Sequence, residues 1–294
     1  MSNPIRSHIR CEPNAGPHVG RILIQRTAHA NAFTMVMVDD FRAALTALEG
    51  DDSIKVIIIA AEGDHLTCGF DPAEVEKIYT TAPGGANRKV PSQRARLLAL
   101  DGLWWGPQGL YGRLLHCPKI TILAAKGLCH EVGLYLSLYC DLVFAAQGAR
   151  FANPRWRHVG VDGDIAMLIA AVGLKRAKEL MYLGSEWSAH EALAYGLIDG
   201  VVSEAELDTT VQKTAAYCTQ VMRDGIVTEK HVVFASLAKM HINTGFATAT
   251  AVGAWASNVH FRPGEFNFLR AVRHAGLDAA LAESNAYFNE DDRK

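Results

Sequence analysis

Apolar residues follow two patterns that alternate along the first two thirds of the chain. Short and nearly continuous apolar runs, typical of buried strands, lie at residues 19–25, 55–63, 118–125 and 142–146. Apolar positions three or four residues apart, typical of helices, lie at residues 35–48, 134–140, 165–171 and 176–183. Because buried strands alternate with helices, the sequence predicts an α/β fold whose sheets are covered by helices.

The pattern changes near residue 207, after which no further strand is predicted. Helices are predicted at residues 205–221, 232–241 and 266–275. We therefore divide the chain into a core, residues 1–205, and a helical C-terminal region, residues 206–294. Residues before 19 form a polar leader. The segment 80–96, rich in glycine, proline and basic residues, is predicted to be a mobile loop beside the functional site.

Composition and charge exclude some classes of function. The 29 Lys and Arg residues nearly balance the 31 Asp and Glu residues, which argues against a nucleic-acid partner held by a basic face. The longest apolar run, residues 165–172, is too short to cross a bilayer, and the N-terminal segment lacks the apolar region of a secretory signal. We expect a cytoplasmic protein without a membrane partner.

Cysteine and histidine spacing does not predict a metal site. The six cysteines include no C-x-x-C pair, and the twelve histidines lack the spacing of a zinc site. We expect reduced thiols and no bound metal.

Four segments carry a family resemblance through their order and spacing. They are RTAHANAF at 26–33, KVIIIAAEGDHLTCGFDPAEV at 55–75, CPKITILAAKGLCHEVGLYLSLYCDLVFAAQGARFANP at 117–154 and VGLKRAKELMYLGSEWSAHEALAYGLIDGVV at 172–202. In this order they resemble the crotonase (enoyl-CoA hydratase/isomerase) superfamily. The resemblance implies a ββα spiral core with an α-helical C-terminal trimerisation region. It also implies an enzyme acting on an acyl-CoA or related carbonyl compound, with coenzyme A as part of the substrate and no separate cofactor.

The resemblance implies an oxyanion hole of two backbone N–H groups, which hold a thioester oxygen as charge develops on it. The two donors map to Phe70 and Val132. Where the family has three glycines, this chain has Glu131, Val132 and Gly133, which departs from the pattern in the second half of the hole. His130 and Glu131 are interpreted either as new catalytic groups or as a solvated histidine and a helix-capping carboxylate.

Hydratases of this family position and activate water with two glutamates. The matching positions hold Tyr135 and Arg155. Neither side chain is a general base near neutral pH, so a standard hydratase mechanism is not expected.

A carboxylate does occur further along the chain. Residues 155–167, RWRHVGVDGDIAM, resemble the 4-chlorobenzoyl-CoA dehalogenase branch, which pairs Trp156 with a pocket tryptophan and Asp164 with a nucleophilic aspartate. The β-diketone hydrolase branch also places a working aspartate after a similar turn. Asp164 is interpreted as a nucleophile or base, or else as the N-cap of the following helix. Asp162 is the weaker candidate.

The resemblance also suggests substrate contacts. LWW at 103–105 matches a second tryptophan site of the dehalogenase branch, although Gly106 stands where that branch has a catalytic histidine. Candidate bases are His65, His130 and His158. An aromatic-walled pocket favours a cyclic or aromatic acyl group. The residues predicted to line the pocket are Trp105, Tyr135, Arg155, Trp156 and His158, and those predicted to contact coenzyme A are Arg26 and His29.

We expect a hydrolytic or dehalogenase-like enzyme. The alternatives are a β-diketone-type C–C hydrolase without coenzyme A, a hydratase or isomerase with relocated acid and base groups, and an inert binding or assembly subunit. We also expect a homotrimer or homohexamer, because apolar residues of the C-terminal region exceed what it can bury on itself. These residues are Val232, Val233, Leu237, Phe266, Phe268 and Leu269.

Overall fold

The computed structural model describes residues 8–74, 97–98, 100–160, 163–240, 242 and 264–288, without the side chains of residues 158 and 159. The loop predicted at 80–96, the candidate Asp162 and the ring of His158 lie outside these described parts.

The described strands and helices follow the alternation predicted for the core. The strands are β1 (Ile9–Gly16), β2 (Val19–Ile24), β3 (Val56–Ala61), β4 (Ile120–Ala125), β5 (Leu128–His130), β6 (Leu142–Ala146), β7 (Arg150–Ala152), β8 (Trp187–Ser188) and β9 (Gly200–Val202). The helices are α1 (Met35–Glu49), α2 (Leu110–Leu115), α3 (Val132–Tyr139), α4 (Trp156–Val159), α5 (Ile165–Leu183), α6 (Ala189–Ala194), α7 (Glu204–Cys218), α8 (Arg223–Lys239), α9 (Phe268–Ala275) and α10 (Leu277–Tyr287).

Two sheets organise the core. The main sheet has the order β1-β2-β3-β4-β6-β9, in which β1 is antiparallel to β2 and the other neighbours are parallel. The second sheet has the order β5-β7-β8. Because β4 leads to β5 and then α3, and β6 leads to β7 and then α4, the chain repeats a strand–strand–helix unit that alternates between the sheets. The predicted α/β fold with a ββα spiral core is confirmed.

Each face of the main sheet is covered by a helix. Alternate residues of β3 point to opposite faces, so Ile57 joins the apolar cluster that contains α1, whereas Ile58 joins the cluster that contains α7. Helix α1 begins at Met35, where the Thr34 hydroxyl accepts a hydrogen bond from the N–H of Met37 at 3.2 Å. Helix α7, which the sequence-based division places in the C-terminal region, therefore packs directly on the core sheet.

Two sequence predictions differ from the structure. Within the predicted polar leader, the sequence missed that residues 9–16 form β1; only Ile9 of this strand is buried, so no apolar alternation marks this edge strand. The helices predicted at 165–171 and 176–183 form one element, α5, with a break at Gly173, whose φ of +78° is left-handed.

The C-terminal apolar residues divide into two groups. Phe266, Phe268, Ala271 and Ala280 bury one another where α9 packs against α10. Val232 and Val233 on α8 remain 60% and 57% exposed. Among the described residues, none of the helices combines the length and apolar character needed to cross a membrane.

Candidate active site

The turn after β3 presents the first predicted oxyanion donor. The N–H of Phe70 donates a hydrogen bond to Oε2 of Glu131 at 2.8 Å. Gly69 has a φ of +111°, and a Cβ at this position would lie 2.7 Å from the same oxygen. Glycine is therefore required here by both the backbone conformation and the approach of the Glu131 carboxylate.

Glu131 stands in an unusual conformation immediately before α3. Its φ of +46° is in the left-handed region, which a residue with a side chain rarely adopts. Its N–H donates to the carbonyl of Ala152 at 2.8 Å, which ties it to β7. Glu131 occupies the N-cap position, but its carboxylate makes no capping hydrogen bond. The interpretation of Glu131 as a helix-capping carboxylate is therefore wrong, because the side chain turns toward Phe70 instead.

Arg155 compensates the buried charge of Glu131. Its Nε lies 3.0 Å from Oε1 of Glu131, and both side chains are less than a tenth exposed. Burial raises the pKa of the Glu131 carboxyl, whereas Arg155, the Phe70 hydrogen bond and His130 lower it. The position that matches the second hydratase glutamate thus holds the cation that neutralises Glu131.

Val132 and Gly133 begin α3 beside this carboxylate. Because Val132 is the first residue of α3, its N–H has no acceptor within the helix. A Cβ on Gly133 would lie 3.2 Å from the Thr67 side chain and 3.3 Å from that of Cys129. The remaining glycine of the motif is therefore explained by tight packing. Of the two sequence-predicted donors, Phe70 contacts the Glu131 carboxylate, and Val132 follows Glu131 in the chain.

Asp164 is the second buried carboxylate near α3. Its Oδ1 accepts a hydrogen bond from the N–H of Met167 at 3.0 Å, so the predicted N-cap of α5 is confirmed. Its Oδ2 accepts a hydrogen bond from the hydroxyl of Tyr139, also at 3.0 Å. Among the described residues no cation pairs with it, and burial raises its pKa against the opposing effect of these hydrogen bonds.

Tyr135 is close enough to both buried carboxylates to feel their charges. Burial raises the pKa of the Tyr135 hydroxyl, and the charges of Glu131 and Asp164 raise it further. Arg155 and a hydrogen bond from the indole of Trp156 lower this pKa. A Cβ on Gly163 would fall within bonding distance of this hydroxyl, so Gly163 must lack a side chain. The residue that the sequence matches to the first hydratase glutamate is thus a buried tyrosine whose pKa is raised.

Six buried aromatic residues pack together as an aromatic cluster. They are Phe70, Trp104, Trp105, Tyr111, Tyr135 and Tyr139. Trp104 meets Phe70 edge to face with centroids 5.2 Å apart, and stacks on Tyr111 at 5.4 Å. Tyr111 in turn stacks on Tyr139 at 5.5 Å. Trp105 and Tyr135 complete the aromatic cluster. The indole nitrogens of both tryptophans are buried without an acceptor among the described residues.

Sequence reasoning missed Tyr111 and Tyr139. Tyr139 lies four residues after Tyr135, so both project from one face of α3, and this spacing is the available signal. Tyr111 lies on α2, and its role depends on packing that the sequence does not show.

Other predicted residues have different surroundings. His130 contacts Glu186 with 2.8 Å between Nε2 and Oε2, which departs from a simply solvated histidine. Nδ1 of His65 accepts a hydrogen bond from the N–H of Leu128, a contact that joins two chain segments. Arg26 lies 2.8 Å from a carboxylate oxygen of Asp71. His29 lies in a short 3₁₀ turn. The roles of Arg26 and His29 in binding coenzyme A stay predictions.

Comparison with known proteins identifies the family. The family model "Enoyl-CoA hydratase/isomerase" matches residues 14–269. The chain is 30% identical over 218 residues to 4-chlorobenzoyl coenzyme A dehalogenase-2 of an Arthrobacter species, covering 73% of each chain. It is 27% identical over 214 residues to the peroxisomal Δ(3,5)-Δ(2,4)-dienoyl-CoA isomerase of Arabidopsis thaliana, covering 69% of this chain and 72% of the isomerase.

A solved structure shows the same fold. The crystal structure of an enoyl-CoA hydratase/isomerase from Xanthobacter autotrophicus Py2 aligns with a TM-score of 0.78 and 26% identity, covering 96% of this chain and 98% of the other. The residues matched by the family model include the core, both buried carboxylates and the aromatic cluster. The chain therefore belongs to the enoyl-CoA hydratase/isomerase family of enzymes, the crotonase superfamily.

Proposed function

We propose that this enzyme acts on the CoA thioester of an aromatic or alicyclic acid, with Asp164 as its nucleophile or general base. The observation that carries this proposal is the position of Asp164. It is a buried carboxylate without a cation partner among the described residues, and Tyr139, a member of the aromatic cluster, holds one of its oxygens. Similarity to the Arthrobacter dehalogenase adds support.

The surroundings of Asp164 suit either chemical role. As a nucleophile, Asp164 forms a C–O bond to an electrophilic carbon, and the leaving halide or thiolate departs with the electron pair of the broken bond. Water then hydrolyses the covalent ester or anhydride. As a base, Asp164 takes a proton from water while the water oxygen attacks the substrate. Burial raises the pKa of Asp164, which favours proton acceptance in the general-base alternative.

The aromatic cluster supports an acyl group with a ring. Its members are flat and apolar, and ring-on-ring contacts prefer the stacked and edge-to-face arrangements already present in this cluster. The two indole N–H groups can donate to an acceptor carried by that ring. A short straight acyl chain uses neither feature.

Water addition to an enoyl thioester is disfavoured by the same site. Tyr135 and Arg155 occupy the positions of the two water-positioning glutamates, and Arg155 is committed to Glu131. The proposed reaction is therefore hydrolytic or dehalogenase-like, with the N–H groups of Phe70 and Val132 as the proposed donors to the thioester oxygen.

A panel of thioesters tests this proposal. The wild-type protein is incubated with 4-chlorobenzoyl-CoA, benzoyl-CoA, cyclohex-1-enoyl-CoA and crotonyl-CoA, and products are followed by mass spectrometry. We expect turnover of a cyclic thioester, and a loss of roughly two orders of magnitude or more in Asp164→Asn with the fold retained. Asparagine caps helices about as well as aspartate, so it serves as its own structural control.

Labelled water separates the two roles of Asp164. In a single turnover in H₂¹⁸O, a nucleophilic Asp164 gains one ¹⁸O, whereas a base leaves the label in the product. Full activity of Asp164→Asn contradicts both roles. Turnover of β-diketones without affinity for coenzyme A favours the C–C hydrolase alternative, and thioester binding without turnover favours an inert subunit.

A further inference from the structure

The chain itself occupies the first oxyanion donor. Oε2 of Glu131 accepts the N–H of Phe70 at 2.8 Å, and Oε1 of the same carboxylate lies 3.0 Å from Nε of Arg155. An oxyanion hole is built to hold a negatively charged oxygen against backbone N–H groups. The carboxylate oxygen of Glu131 therefore occupies the place in which a negatively charged substrate oxygen would be held.

Three features show that this position of Glu131 is built into the fold. Its backbone holds a left-handed φ of +46°, which costs free energy that the surrounding contacts must offset. Gly69 lacks the Cβ that would lie 2.7 Å from Oε2. Arg155 supplies the opposite charge in a buried site. The backbone conformation, the space left by Gly69 and the charge of Arg155 all fit the carboxylate in this one position.

We propose that the Glu131 carboxylate plugs the oxyanion position and that its release from Phe70 controls how tightly the enzyme binds a thioester carbonyl. This inference rests on the proposed function, because it concerns the same donor and the same class of substrate. Glu131 is here a specificity-determining residue and not the reacting group. Substrates able to displace it must offer Phe70 an oxygen that carries substantial negative charge.

The relative strength of the hydrogen bonds gives the direction of the effect. A bond from N–H to an ionised carboxylate is about twice as strong as one to a neutral acceptor, so a neutral thioester oxygen is the weaker competitor. The apparent affinity of a ligand is its intrinsic affinity multiplied by the fraction of protein in the binding-competent state. If the plug is in place in about 90% of molecules, its removal tightens binding about tenfold.

The plug is tested first without any ligand. Phenylalanine-labelled ¹⁵N protein gives an amide signal for Phe70, which Phe70→Leu assigns by its disappearance. In wild type the charge-assisted bond moves this proton downfield, and Glu131→Gln is expected to move it upfield. Glu49→Gln is the matched control, because Glu49 is also a largely buried carboxylate paired with an arginine, Arg113. A Phe70 signal that is unchanged in Glu131→Gln overturns the proposal.

The second test measures the bound carbonyl. Benzoyl-CoA labelled with ¹³C at the carbonyl is titrated into wild type, Glu131→Gln, and the double variant Glu131→Gly with Arg155→Gln, which leaves no unpaired buried charge. We expect the double variant, which lacks the plug, to bind it about tenfold more tightly than wild type. Glu131→Gln keeps a neutral acceptor and is expected to bind it more tightly than wild type by a smaller factor, and both variants should lower the carbonyl stretching frequency. Equal affinities and equal frequencies in all three proteins overturn the proposal and leave the proposed function standing.

Failure of the proposed function has a different signature. In that case none of the proteins binds benzoyl-CoA or coenzyme A at millimolar concentration. The Phe70 amide signal still decides whether the carboxylate holds this donor, because that measurement uses no ligand.

Discussion

Removing the positive charge beside Glu131 is expected to be one of the most damaging single changes in this enzyme. Arg155→Met keeps an apolar chain of similar length but leaves the Glu131 carboxylate with less than a tenth of its side chain exposed to water. Breaking a buried pair from one side costs about 3–5 kcal/mol of unfolding free energy, since an uncompensated charge remains. We expect a loss in this range.

The double variant Glu131→Gly with Arg155→Met gives the internal check. It contains neither charge, and glycine at position 131 removes left-handed strain of about 1–3 kcal/mol. Buried pairs replaced on both sides are often neutral in stability. We therefore expect the double variant to recover most of the stability that the single variant loses.

Guanidinium unfolding, followed by tryptophan fluorescence and by far-ultraviolet circular dichroism, measures both variants. The control is Arg113→Met, which breaks the more exposed pair with Glu49 and is expected to cost less. A loss below about 1 kcal/mol in Arg155→Met refutes the view that the charge is uncompensated without this partner. A double variant as unstable as the single one refutes it equally.

Three further predictions concern activity, pH and assembly. Hydration of crotonyl-CoA is expected to have a kcat/KM below about 10⁴ M⁻¹s⁻¹. A value above about 10⁶ M⁻¹s⁻¹ in a spectrophotometric assay contradicts the view that Tyr135 and Arg155 do not activate water. Burial raises the pKa of Asp164 in the folded state, so wild type loses stability as the pH rises from an unfolded pKa of about 3.9 through the folded value. Asp164→Asn lacks this loss, and thermal unfolding from about pH 4 to 7 should show its stability rising relative to wild type; a constant difference contradicts this. Light scattering should give a trimer or hexamer, which Val232→Glu with Val233→Glu weakens because both valines are exposed on α8; a wild-type mass of 32.0 kDa contradicts it.

The sequence predicted the buried strands well because their environment is uniform. Every residue of β3 is buried, and a fully apolar run has few other interpretations. Strand β1 was missed because it lies at the sheet edge, where backbone pairing with β2 holds it and its side chains mostly face water. Such a strand leaves little trace in the hydrophobic pattern.

The site was predicted only where one residue carries the signal. Asp164 follows a recognisable turn, and the structure does place it buried beside the aromatic cluster. The pairing of Glu131 with Arg155 depends on two elements that meet only after folding, so neither residue type revealed it. The same limit applies to Tyr111, whose contacts with four other rings arise from helix packing.

In the proposed site, helix α3 fixes the distance between the two buried carboxylates. Glu131 lies at its first end, and Tyr139, the last residue of the helix, holds Asp164 at the other. Eight residues at 1.5 Å each separate these ends by about 12 Å, and long side chains lean back toward the helix start, which shortens the gap between the two carboxylates. The length of one buried helix therefore sets the interval between the proposed carbonyl position and Asp164, the proposed reactive carboxylate. Lengthening α3 by a turn should change which acyl groups fit while leaving each end chemically intact.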